Sequence, residues 1–150
     1  MNTYKEKLHD KDILALYDYL LEYETYIKER INQFNIYDET VVQFRKENRI
    51  YFGSIKNNED KTKAQKFENH LLWAEGAVRK KNANIDRAHA LLRRIRNAFA
   101  HGMITNKNNT YFELRDYDKK KGSMTLQGCI SCKLLYNLIR VLKNTDNNIK

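Results

Sequence analysis

A chain of 150 residues with 41% hydrophobic and 31% charged side chains is long enough to bury one core and too apolar to be a disordered tail. Its formal charge of +9, from 28 Lys+Arg against 19 Asp+Glu, attracts polyanions. Nucleic acid ranks ahead of acidic proteins and anionic membranes as the partner. The start MNTYKEKLHDKD lacks the apolar core of a signal peptide, and no apolar run approaches bilayer length. Two cysteines make no disulfide framework, so a cytoplasmic address is expected.

Proline is absent, which leaves helices to be interrupted only by glycine and asparagine. The first predicted helix runs from about Lys11 to Phe34, with Ile13, Tyr17, Leu20, Ile27, Ile31 and Phe34 at helical spacing. A second starts near Asp38, a suitable N-cap, and passes Val41, Val42, Phe44 and Ile50 to reach Gly53. The polar stretch from Ser54 to Thr62 reads as a loop. A third helix is expected over about Lys63 to Lys81, with Phe67, Leu71, Leu72 and Val78 inward. A fourth spans Ile85 to His101 on a stripe of Ala88, Leu91, Leu92, Ile95 and Phe99, with Gly102 placed to end it.

The period then changes. Thr105 to Thr110 reads as a loop, Tyr111 to Arg115 as a strand, Asp118 to Gly122 as a turn and Ser123 to Gln127 as the returning strand. A last helix covers about Cys129 to Lys143, and the tail from Asn144 to Lys150 is expected to fray. The fold class read from these elements is mainly α: an up-down bundle of four to five helices, with a small β-hairpin at about 110–127 before the last helix. All 150 residues form one domain in this reading.

Chemistry concentrates in the segment LLRRIRNAFAHG. At about 100° per residue, Asn97 and His101 share a helical face, as do Arg93 with Asn97 and Arg94 with His101. Arg96 and His101 are rotated by roughly 140°. Their polar ends can converge near the helix terminus or across a two-fold axis between two copies. Histidine transfers protons near neutral pH, and arginine offers a planar fork of donors to a charged phosphate.

Arg96-Asn97-Ala98-Phe99-Ala100-His101 resembles the Arg-(four to six residues)-His signature of the HEPN superfamily, including the polar residue directly after the arginine. Arg94, at the longer spacing, is a second candidate; Arg96 is preferred because Asn97 follows it. The resemblance implies a homodimeric, metal-independent endoribonuclease without cofactors, in which the ribose 2′-OH attacks the adjacent phosphate to give a 2′,3′-cyclic phosphate. Arg96 and His101 would be catalytic, Asn97 would position the phosphate, and Arg93 and Arg94 would bind substrate. It also implies a toxin, phage-defence or RNA-processing role with an antitoxin or nucleotidyltransferase partner. The alternative is a non-catalytic HEPN-like module that binds RNA, a nucleotide or a protein. In some nucleotidyltransferase pairs a tyrosine lies two residues after the motif histidine; here that position is Met103.

Other motifs carry less. Cys129-Ile130-Ser131-Cys132 has no further ligand set for zinc and reads as two small buried side chains at i and i+3 of a helix. His89 lies on the face of Arg96 but reads as a packed or surface residue outside the site. Lys119-Lys120-Lys121 reads as a solvated loop in the hairpin turn, with an RNA-backbone contact as the alternative.

Overall fold

The computed structural model describes residues 10–30, 34–74, 83–107 and 110–145. Helix α1 begins at Asp10–Glu22, continues through a π-helical turn at Tyr23–Ile27 and ends with Lys28–Arg30. There follow α2 (Glu39–Asn48), β1 (Ile50–Ser54), α3 (Asn58–Ala64), β2 (Asn69–Trp73), α4 (Ala83–Ala100), β3 (Ile104–Lys107), β4 (Tyr111–Tyr117), β5 (Met124–Ser131) and α5 (Cys132–Lys143). The strands form one mixed sheet in the order β1-β2-β5-β4-β3. Only β1 and β2 run parallel, joined through α3; the other neighbours are antiparallel.

One face of the sheet carries the main core. Leu71 and Trp73 of β2, Phe112 and Leu114 of β4, and Leu126 and Ile130 of β5 meet Leu91, Leu92, Ile95 and Phe99 of α4. Leu135, Leu138 and Leu142 of α5 complete that layer, and Tyr19, Tyr23 and Ile27 bring α1 onto it. The Tyr19 hydroxyl donates to the Leu92 carbonyl at 2.8 Å, and its ring meets Phe99 edge-on at 5.3 Å. These contacts fix α1 against the second half of α4. On the opposite face α3 covers only the β1–β2 side, over a smaller cluster of Ile55, Ala64, Leu72 and Ala74.

The expected mainly-α bundle is therefore corrected to an α/β fold with a five-stranded mixed sheet. The second helix does not reach Gly53: Arg49 adopts the left-handed conformation (φ 53°) and ends it, and Ile50 opens β1. The loop expected over Ser54 to Thr62 holds most of α3, capped by the Asn57 side chain on the Asp60 amide. Only Ala64 of α3 is buried, so no apolar stripe announces it.

The third helix is replaced where it can be seen. Residues 69–73 form β2, in which Leu71 faces the main core and Leu72 the smaller one. A strand buried on both faces is apolar without alternation, and periodicity alone cannot separate it from a buried helix. Val78, assigned to that helix, lies outside the described residues, as do Ile31 and residues 146–150 of the tail.

The loop expected from Thr105 contains β3, and β5 extends to Ser131, so the hairpin is part of the larger sheet. The last helix starts at Cys132 rather than Cys129, with the Ser131 hydroxyl capping the Leu134 amide. The two cysteines thus sit on different elements, both half-buried and not joined in a disulfide. Gly128 is needed in β5, because a Cβ there would lie 2.5 Å from Leu71 Cδ2. The fourth helix is found as expected, with its apolar stripe buried. No helix among the described residues is long and apolar enough to cross a membrane.

Candidate functional site at the end of helix α4

The last turn of α4 is closed by a pair of backbone bonds around Gly102. Met103 N–H donates to Ala98 C=O at 2.8 Å and Gly102 N–H to Phe99 C=O at 3.2 Å. Gly102 has φ +68°, so this arrangement is a Schellman ending with glycine in the left-handed position. His101 is thereby held at the last helical step, with its side chain 41% exposed. Buried Ala98 and Phe99 anchor the turn, so the polar residues around them keep fixed directions.

Arg96, Asn97 and His101 are brought together by two carboxylates from other elements. The Arg96 guanidinium donates through Nη1 to the Asn97 side-chain oxygen at 3.1 Å and through Nη2 to Glu24 at 3.0 Å. It also lies 6.0 Å above the Tyr23 ring. On the other side, Asn97 Nδ2 donates to Asp116 Oδ2 at 3.4 Å. His101 Nδ1 lies 3.9 Å from Asp116 Oδ1, inside ion-pair range but longer than a hydrogen bond. Thr125 Oγ1 donates to Asp116 Oδ2 at 3.0 Å. The result is a polar chain, Glu24–Arg96–Asn97–Asp116–His101. It bridges the roughly 140° of helix rotation that separates arginine from histidine.

Both carboxylates were absent from the sequence reading. Asp116 had a signal: β4 alternates, with Phe112 and Leu114 pointing to the core, and Asp116 occupies the next inward position. Ending that strand at Arg115 hid it. A register shift between Asp116 and Tyr117 interrupts the ladder at this point, the kind of irregularity that re-aims a side chain near a site. Glu24 had no local signal, since it reaches Arg96 only because α1 packs on α4. It belongs to the π-helical turn, a feature frequent at functional positions.

Arg93 and Arg94 diverge. Arg93 is exposed on the α1 side, where its charge and that of Arg96 oppose the burial that raises the Tyr23 pKa. Arg94 is half-buried on the sheet side; burial lowers its pKa, with the charges of Asp116 and Asp118 acting in the opposite direction. The two arginines flank the cluster without joining its hydrogen-bonded chain in any contact described. His89 is half-buried one helical stretch away. The Cys129 thiol has its pKa pushed up by burial, which disfavours the thiolate needed for redox or metal chemistry. Among the described residues no group of three or more His, Cys, Asp or Glu is arranged to hold a metal ion.

A family model described as HEPN pEK499 p136 matches residues 2–148, nearly the whole chain. The chain belongs to this HEPN family. No curated protein and no solved structure gives a significant match. The HEPN domain of this chain carries the mixed sheet described above.

Proposed function

We propose that this HEPN domain is a metal-independent endoribonuclease that cuts RNA by attack of the ribose 2′-oxygen on the neighbouring phosphorus. The observation that carries the reading is the polar chain that ties Arg96 and His101 together at a solvent-facing helix end. In this reading the Arg96 guanidinium binds the non-bridging phosphate oxygens and holds the charge that grows on them. Asn97, hydrogen-bonded to Arg96, positions the phosphate. His101 carries the proton removed from the 2′-hydroxyl. The new P–O2′ bond forms as the P–O5′ bond breaks, leaving a 2′,3′-cyclic phosphate and a free 5′-hydroxyl. DNA lacks the nucleophile and survives.

The domain acts as a homodimer in this proposal. Leu14, Tyr17 and Leu21 on α1 are 64%, 66% and 65% exposed, at helical spacing that leads to Glu24 beside Arg96. An apolar stripe ending at the site suits a second copy that brings its own arginine and histidine. The role we assign is that of a toxin, phage-defence or RNA-processing nuclease held in check by an antitoxin-like partner. Met103 in place of a tyrosine removes the side chain that a nucleotidyltransferase would modify in some HEPN pairs.

The test is cleavage of a labelled mixed-sequence RNA, and of its DNA counterpart, in excess EDTA. Wild type should cut RNA alone and leave cyclic-phosphate ends, while Arg96→Ala and His101→Ala should not. The Glu24 carboxylate already seated on Arg96 favours a second reading, a non-catalytic module that binds RNA, a nucleotide or a protein. Equal RNA affinity for wild type and His101→Ala, with cleavage by neither, decides for that reading.

A further inference from the structure

Asp116 is the only charged side chain among the buried residues described, and Thr125, its hydroxyl donor, is one of two buried neutral polar ones. Burying a carboxylate is costly unless hydrogen bonds or an opposite charge compensate it. A purely structural link between Asn97 and Thr125 needs only a neutral acceptor. What a carboxylate adds is negative charge, and its two oxygens are divided between two tasks. Oδ2 receives Asn97 Nδ2 and Thr125 Oγ1, while Oδ1 faces His101 Nδ1.

We propose that Asp116 is the positioning residue of this site: its carboxylate holds His101 with the proton on Nδ1 and clamps Asn97 against Arg96, so that one buried group sets both halves of the motif. The ring nitrogen that faces a carboxylate keeps its hydrogen, and the other is left as the acceptor. Nε2, on the far side of the imidazole, is then the base. This inference rests on the nuclease reading for its chemistry and on the ring geometry alone for its pairing.

Nε2 takes the 2′-hydroxyl proton as the P–O2′ bond forms, and His101 becomes imidazolium beside the Asp116 carboxylate. The departing 5′-oxygen takes a proton from water, and the imidazolium returns one to solvent. The charges around the ring come from several elements. Asp116 on β4 lies against Nδ1. Arg94 on α4 is itself within the field of Asp116 and Asp118. Glu24 on α1 acts on the Arg96 end of the chain.

The experiment is ¹⁵N NMR of the imidazole of His101 in wild type, Asp116→Asn and Thr125→Val, assigned by the loss of its signals in His101→Ala. In neutral wild type the Nδ1–H tautomer should dominate. Asp116→Asn should shift the tautomer balance toward Nε2–H, and Thr125→Val should do less. In the cleavage assay, Asp116→Asn should cut kcat by roughly 10²-fold or more with little change in KM. An Nε2–H tautomer in wild type overturns the proposal without any variant having to fold. So does an Asp116→Asn protein whose His101 signals are unchanged. A wild type that cleaves no RNA while Asp116→Asn still moves His101 supports the pairing and overturns the nuclease reading.

Discussion

Two carboxylates address the end of α4 from opposite sides, and they differ in almost every physical respect. Asp116 comes from the sheet, is 3% exposed, and is shared among Asn97, Thr125 and His101. Glu24 comes from the π-helical turn of α1, is 45% exposed, and holds the Arg96 guanidinium, with Lys28 at 3.7 Å. A buried group cannot leave without stranding its partners, whereas an exposed ion pair is exchanged readily against solvent or another anion. The sheet side of the site is therefore built to stay and the helix side to yield. In the proposed nuclease, a substrate phosphate is an anion of the kind that would replace Glu24 on Arg96.

The largest effect is expected at the reacting groups. Arg96→Ala and His101→Ala should each lower RNA cleavage by about 10²- to 10⁴-fold while leaving the urea unfolding midpoint near that of wild type. A large stability loss in either would move that residue into the scaffold.

Asp116→Ala should destabilise the fold by about 1–3 kcal/mol, because Asn97 and Thr125 lose a buried acceptor. Urea denaturation measures this, and an unchanged midpoint would mean the sheet side is as replaceable as the helix side. Gly102→Ala should cost about 1 kcal/mol. A Cβ there meets nothing within 4 Å, so only the left-handed backbone at φ +68° is strained. The same denaturation series checks it.

Glu24→Gln should have the smallest effect on stability, within about 0.5 kcal/mol. Its expected gain is in binding: RNA affinity should rise a few-fold at low salt and converge with wild type at high salt. Weaker binding in Glu24→Gln would show that the helix-side carboxylate orders Arg96 for its ligand instead of yielding to it.

How much of this was legible in the residues varied along the chain. Helix α4 could be read because its evidence is local: an apolar stripe of period 3.6, a glycine at its end and a motif within six residues. The family match over residues 2–148 agrees with what that motif resembled. Strands β1 and β2 were misread because each is short and takes its meaning from a neighbour far along the chain, while the four-residue β3 pairs with the adjacent β4 but offers only Ile104 as an apolar residue. Ile50 pairs with Asn69, and Leu72 pairs with Gln127. Leu71 and Leu72 are two adjacent leucines in either reading; only the cores above and below the sheet make them opposite faces of a strand.

The candidate site divides along the same line. By itself the sequence determined α4, its glycine ending, the basic charge and the identity of Arg96, Asn97 and His101, since helix period and capping act within a few residues. Only the tertiary structure decided that Glu24 and Asp116 face them, as those contacts span 72 residues from Glu24 to Arg96 and 19 from Asn97 to Asp116. Long-range packing selects which carboxylates arrive there: strand alternation marks Asp116 as inward-facing, but no local pattern names what it meets.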